Sequence, residues 1–234
     1  MRKIKEFWGC RVLALDGDVG KVHDVYFNDV SWTVRYLVVD TGGWLSGRRV
    51  LISPQAAQLS GVPLHTVSVS LTRERIQASP DVDTDKPVSR QYESEFNRYY
   101  GYPSYWLQPG QWGALQSPPA VLPNASDALE LAERRLERIP RHDTDLRSAR
   151  EVSSYSVNAV DGTVGRVDDF VTEDETWVIR YLILETGMWL SGRQVLLDRN
   201  CVREVDWAAK CIAVDQTAQQ IERTPAFEPS DLKP

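Results

Sequence analysis

The sequence of 234 residues contains no long apolar run. Its longest apolar stretches, such as Tyr36–Val39 and Tyr181–Leu184, are far shorter than the roughly 20 residues that a membrane-spanning helix needs. The first eight residues are rich in charge and lack the apolar region of a secretory signal. We therefore expect a cytoplasmic protein without a transmembrane segment.

Cysteine and histidine are scarce, with three of each. An odd number of cysteines without CxxC spacing argues against a disulfide framework and against a zinc site. The histidines stand in no metal-ligand spacing with Cys, Asp or Glu. Nucleophile-elbow, Walker A, HExxH and dinucleotide-binding patterns are also missing. We therefore predict a protein that is not an enzyme, with no catalytic residue, no metal and no cofactor.

An excess of positive charge is absent as well. The formal net charge is −6, whereas a general nucleic-acid binder needs a basic surface for the phosphates. We therefore expect no nucleic-acid partner. Hydrophobic residues make up 42% of the chain and charged residues 26%, which is typical of a folded soluble protein.

The strongest positive signal is an internal duplication. Residues Ala14–Ser53 align without a gap on Ala159–Asp198, 145 positions later, and 21 of the 40 positions are identical. Two copies are too few for a solenoid, so the chain is predicted to hold two related modules. We place them at residues 1–80 and 149–227, with a linker at 81–148 and a disordered tail at 228–234.

Each copy has the pattern of a small β domain. The dipeptides Asp16-Gly17 and Asp161-Gly162 are typical of hairpin turns, and Gly20 and Gly165 follow three residues later. A run rich in β-branched and aromatic residues comes next, at Trp32–Val39 in the first copy. Many short strands at close spacing predict a small barrel or sandwich.

The linker between the copies is rich in aromatic residues. We predict one helix from Pro87 to Tyr100 and a second from Ser126 to Ile139. Two interpretations of the aromatic residues remain open: they fill a groove between the modules, or they form a partner surface. The residues concerned are Tyr92, Phe96, Tyr100, Tyr105 and Trp106.

Both copies resemble the PRC-barrel family. The resemblance is carried by the D-G-x-x-G-x-V opening, by Asp24 and Asp169, and by the W-x-x-R-Y-L strand. This family's module occurs in the photosynthetic reaction-centre H subunit and in the ribosome maturation factor RimM. The resemblance implies a mainly β fold of two small antiparallel β-barrels, related by duplication and joined by a partly helical linker.

The resemblance also implies a function that is not catalytic. We expect an adaptor that docks on an unidentified protein complex, with association at a membrane surface left open. The alternatives are an accessory of the reaction-centre H type in electron transfer and a factor associated with ribosomes or RNA processing. A homodimer is also left open.

Two equivalent loops are candidates for docking, because a tryptophan beside an arginine is typical of interface hot spots. Two interpretations remain open, packing between the modules and binding of an external partner. The loop residues are Trp44, Leu45 and Arg48 in the first copy and Trp189, Leu190 and Arg193 in the second.

Two mid-strand arginines, Arg35 and Arg180, need either water or a carboxylate. We predict ion pairs with Asp24 and Asp169 across the strands, with partner binding as the alternative.

Overall fold

The computed structural model describes residues 1–59, 65–81, 88–104, 146–187, 192–228 and 232. It is mainly β, with two seven-stranded sheets and few helices. In chain order the strands are β1 (Arg2–Lys3), β2 (Arg11–Ala14), β3 (Gly17–Asn28), β4 (Thr33–Asp40), β5 (Arg49–Ile52), β6 (Ala57–Gln58), β7 (Thr66–Val69), β8 (Leu146–Ser148), β9 (Ser156–Ala159), β10 (Gly162–Thr172), β11 (Ile179–Thr186), β12 (Gln194–Asp198), β13 (Val202–Asp206) and β14 (Cys211–Val214). The helices are α1 (Arg73–Gln77), α2 (Arg90–Tyr100), α3 (Ala149–Val152) and α4 (Ala218–Arg223).

The two sheets have the same strand order. The first runs β5-β4-β3-β2-β7-β6 and the second β12-β11-β10-β9-β14-β13. We call β2–β7 with α1 the first module, and β9–β14 with α4 the second module. The duplication predicted from the sequence therefore extends to the topology.

The barrels expected from the family resemblance differ from the structure in two respects. Within the described residues the strand ladder does not close, because the end strands β5 and β6 follow each other around the short turn Pro54–Ala56 instead of pairing. Each sheet also contains one parallel pair, β2 with β7 and β9 with β14. In the first sheet, β7 therefore runs parallel to β2 on one side and antiparallel to β6 on the other.

Each sheet is completed by a short strand from outside its own module. Strand β1 pairs with β10 of the second module, with Arg2 opposite Thr172. Strand β8 pairs with β3 of the first module, with Arg147 opposite Phe27. Since both residues of the second pair lie 145 positions from their counterparts in the first, the exchange follows the symmetry of the duplication. We call Met1–Phe7 and Leu146–Val152 the leading segments.

The two modules also meet directly. Thr33 of β4 forms a β-bridge with Val178, and these two residues occupy equivalent positions in the two copies. The pseudo-twofold axis therefore passes through this bridge. Aromatic side chains surround the seam, with ring centroids 5.6 Å apart for Phe27 and Phe170 and 5.3 Å apart for Phe7 and Trp177. Buried side chains of both sheets form one continuous core.

The first linker helix is present and slightly shorter than predicted. It begins at Arg90, where the Ser89 side chain accepts the amide N–H of Tyr92, and it ends at Gly101, whose φ is 74°. Pro87 and the predicted helix at Ser126–Ile139 lie outside the described residues. In the tail, Leu232 is buried against Val171 and Ile183. Residues 229–231 and 233–234 lie outside the described residues, so the disorder of the tail stays a prediction.

Candidate docking surfaces

The Trp44 loop packs against its own module. Trp44 donates its indole N–H to the carbonyl of Val19 at 2.5 Å, and the guanidinium of Arg73 lies 4.4 Å from the ring centroid. Leu45 is half-buried in the same turn. Because Val19 and Arg73 belong to the first module, Trp44 contributes to the packing of that module.

Arg48 is engaged in the same way. Its guanidinium donates to the carbonyls of Gln77, Ser79 and Pro80 and pairs with Asp81 at 2.8 Å. It therefore ties the loop to the end of α1. The equivalent Arg193 donates to the carbonyl of Glu222, which is the equivalent of Gln77. Trp189 and Leu190 lie outside the described residues.

The aspartates of the two hairpin turns accept hydrogen bonds from the first residues of helices α1 and α4. Asp16 accepts the amide N–H of Arg73 at 2.8 Å, and Asp161 accepts that of Ala218, also at 2.8 Å. Each contact joins a turn to the first residue of α1 or α4, where helix N–H groups lack partners within the helix. Gly17 and Gly162 adopt positive φ in these turns, as the dipeptides predicted.

Asp24 and Asp169 lie at equivalent bulges in β3 and β10, where the strand register shifts. Asp24 accepts the N–H of Val25 and of Arg150 at 2.7 and 3.1 Å, and the Ser148 hydroxyl at 2.5 Å. Asp169 accepts the N–H of Phe170 and of Lys5 at 2.7 and 3.1 Å. Each carboxyl thus binds the leading segment that completes its sheet.

Burial raises the pKa of both carboxyl groups above the ordinary aspartate value. For Asp169 the pKa rises to about 6, because the loss of water outweighs the N–H groups and the nearby charge of Lys5. These two carboxyl groups therefore join the modules, and burial makes their negative charge unfavourable.

Neither predicted ion pair, Asp24–Arg35 or Asp169–Arg180, is present among the described residues. Arg35 is buried and donates to the Ser31 hydroxyl at 3.2 Å. Arg180 is exposed and pairs with Glu173 at 2.7 Å, which lowers the pKa of Glu173. The leading segments occupy the aspartates instead, and no sequence pattern indicated this, because the strong repeat begins only at Ala14.

The described linker aromatics pack on the first sheet. Phe96 lies edge-on to Tyr36 of β4, with ring centroids 5.1 Å apart, and its centroid is 4.7 Å from that of Tyr100. Tyr92 donates its hydroxyl to the carbonyl of Pro80 at 3.1 Å. Burial raises the pKa of Tyr92 and of Tyr100, the latter to about 12. Tyr105 and Trp106 lie outside the described residues.

One open groove lies on the first module, and sequence reasoning did not predict it. Its volume is about 430 Å³, and its charged or titratable lining residues are Arg11, Asp18, Lys21, His23 and Asp40. Their equivalents in the second module are Ser156, Thr163, Arg166, Asp168 and Glu185. A position-by-position comparison of the two copies would have revealed that these lining residues differ.

His23 is the clearest difference between the two copies. Burial lowers its pKa, and the positive charges of Arg49 and Arg150 lower it further. The equivalent Asp168 forms an ion pair with Lys5 at 2.5 Å. In the first module, the neutral His23 therefore lies beside Arg49 and Arg150, whereas the second module has the Lys5–Asp168 ion pair at the equivalent position.

The described residues contain no group of three or more His, Cys, Asp or Glu side chains arranged to hold a metal ion. None of the helices in the described ranges has the length and apolar character needed to cross a bilayer.

The geometry defines a duplicated β module with reciprocally exchanged leading segments. Residues 1–78, which comprise the first leading segment and the first module, match the family model of the PRC-barrel domain. The relation of the second module to it is carried by the internal repeat and the shared strand order. Comparison with curated proteins finds no match to this chain.

Proposed function

We propose that the protein is a non-enzymatic adaptor that docks on a partner protein through the charged groove of the first module. The observation that carries this proposal is the divergence of that groove between two otherwise equivalent modules. The Trp44 loop and the described aromatics of α2 are engaged in packing the first module, which makes the groove the better candidate.

The charges around the groove indicate the chemistry of the partner. Four basic side chains, two acidic ones and the neutral His23 lie at the groove and beside it; the basic ones are Arg11, Lys21, Arg49 and Arg150, and the acidic ones are Asp18 and Asp40. The equivalent positions of the second module carry two basic and two acidic side chains, Lys5, Arg166, Asp168 and Glu185. An acidic protein surface complements the first module, and such charge complementarity raises the rate and specificity of association.

Capture from extracts of the source cells tests this proposal. The full chain is immobilised, and soluble and membrane fractions are applied separately at low and high salt. Bound proteins should be acidic at their contact surface and should be released by salt, since screening weakens contacts between exposed charges. A membrane-complex partner would indicate a role like that of the reaction-centre H subunit, and ribosomal particles would indicate a role like that of the maturation factor.

The charge reversal Lys21→Glu provides the decisive variant. It places a glutamate opposite Asp40 in the groove and should reduce capture at least tenfold. The matched control is Arg166→Glu, which makes the same change opposite Glu185 in the second module and should leave capture unchanged. Equal capture by both variants, or equal loss in both, would exclude the groove as the docking site.

A further inference from the structure

We propose that this chain assembles with a second copy of itself by exchanging whole modules through the leading segments. In the exchanged dimer, the first module of each chain would pack with the second module of the other. The proposal does not depend on the docking function of the groove.

The first leading segment makes its strand pairing and several side-chain contacts with the second module. Its strand β1 pairs with β10, and the amide N–H of Lys5 binds the Asp169 carboxyl at 3.1 Å. The Lys5 ammonium lies 2.5 Å from Asp168, and Phe7 stacks on Trp177. This segment therefore completes the sheet of the second module, although it precedes the first module in the sequence.

The second leading segment makes the reciprocal contacts. Its strand β8 pairs with β3, and Ser148 and the amide of Arg150 bind the Asp24 carboxyl. Arg147 pairs with Asp29 at 2.8 Å. Because these contacts repeat the first set 145 residues later, the seam is self-complementary, as in a twofold-symmetric dimer.

The residues directly after each leading segment bind the sheet of the module that follows in the sequence. The amide of Gly9 donates to the carbonyl of Val22 at 2.8 Å, and the carbonyl of Tyr155 accepts the N–H of Val167 at 2.9 Å. Gly9 adopts a φ of 77° at this crossing. None of these described seam contacts requires the two modules to belong to the same chain.

The connection between the modules permits either arrangement. Residues 105–145 provide 41 residues of chain between Ser104, which follows α2, and Leu146. Fully extended, they reach at most roughly 140 Å, whereas a module of about 80 residues has a radius of gyration of about 12 Å. The monomer and the exchanged dimer contain the same seam contacts, so their balance is set by the effective concentration of the tethered modules.

The test uses the full chain in light and isotopically heavy forms. Equal amounts are mixed, unfolded in urea and refolded together at micromolar and at near-millimolar concentration, and the products are separated by size with light scattering. The dimer fraction should rise with the refolding concentration and should persist after dilution, because exchange back requires the seam to open.

A zero-length amine–carboxyl cross-linker then shows which chains meet at the seam. In the dimer, the Lys5–Asp168 cross-link should join a light to a heavy peptide in about half of the linked pairs, as random pairing of the two forms gives. The Lys210–Glu151 pair, 3.2 Å apart, is the matched control. Both of its residues stay on one chain in either arrangement, so its cross-link should never join light to heavy.

Two outcomes would overturn the proposal. Refolding that yields only monomer at every concentration would show that modules from different chains do not combine. A dimer in which the Lys5–Asp168 cross-link joins only peptides of the same isotope would show association through another surface.

Discussion

Asp169 is a buried carboxyl whose oxygens are needed and whose charge is costly. Only 2% of the residue is exposed, and it accepts the N–H groups of Lys5 and Phe170. Burial raises its pKa to about 6, above the 3.8 of an ordinary aspartate. The folded protein therefore holds this proton more tightly than the unfolded chain, and the stability gained from protonation is complete below pH 3.8 and lost as the pH rises to about 6.

Replacing the charge should remove this pH dependence. Asp169→Asn keeps an acceptor oxygen for both N–H groups and does not titrate. The free energy of unfolding of this variant, relative to that of the wild type, should be higher at neutral pH than at pH 4 by roughly 1–3 kcal/mol. Urea denaturation at both pH values measures the difference.

The control for that experiment is Asp169→Ala, which removes the acceptor as well as the charge. It leaves the amides of Lys5 and Phe170 without this partner and should cost about 1–3 kcal/mol at low pH, where the wild-type group is neutral. A stability difference between the Asn variant and the wild type that does not change with pH would show that Asp169 does not titrate in this range.

Gly20 and Gly17 have nearly the same backbone conformation and very different surroundings. Their φ angles are 145° and 146°, which residues other than glycine rarely adopt. A Cβ on Gly20 would lie 2.0 Å from the carbonyl oxygen of Asp40, which is backbone and cannot move aside cheaply. A Cβ on Gly17 would meet only the flexible side chain of Arg73, at 3.4 Å.

Substitutions at these two glycines distinguish the cost of an unfavourable φ angle from the cost of a steric clash. Gly17→Ala should lower the free energy of unfolding by about 1–2 kcal/mol, the cost of the unfavourable φ. Gly20→Ala should cost more than 3 kcal/mol, because β3 and β4 must also move apart. Thermal or urea unfolding of both variants measures this, and equal losses would mean that the strand spacing adapts easily.

Helix α2 packs against the first sheet through an aromatic side chain. Phe96 is 1% exposed and touches Tyr36, Tyr92 and Tyr100. Phe96→Ala should therefore lower the free energy of unfolding by about 3–5 kcal/mol, as other large-to-small changes in cores do. The control Gln77→Ala, at an exposed position of helix α1, should change it by less than about 0.5 kcal/mol. A small effect of Phe96→Ala would show that α2 is bound only loosely.

The sequence predicted the elements better than their partners. The strands that follow the hairpin turns and the first linker helix follow from local patterns of turn glycines, β-branched residues and caps. The leading segments were missed because β1 and β8 have two and three residues, and their partner strands lie more than 100 positions away. For the Trp44 loop, the sequence left packing between the modules and partner binding open, because composition does not reveal that Arg48 binds carbonyls at the end of α1.

At the scale of the whole molecule, duplication and exchange make the two modules depend on each other. Leading-segment residues Ile4, Phe7, Ala149 and Val152 are buried in the continuous core. Separating the modules would remove a strand from each sheet and expose these side chains together with Asp24 and Asp169. The free energy needed to open the seam is therefore expected to be a large part of the total.

This dependence predicts that the protein unfolds in one step. A core truncation in the first module, Ile52→Ala, should cost about 2–5 kcal/mol, because the side chain is fully buried in β5. Native-state hydrogen exchange should then show the same loss of protection at the amides of Leu37 in β4 and Leu182 in β11, although Leu182 belongs to the other module. If only the amides of the first module lost protection, the modules would be independent units and the leading segments would be surface attachments. Equal losses in both sheets would mean that the seam joins the two copies into a single cooperative structure.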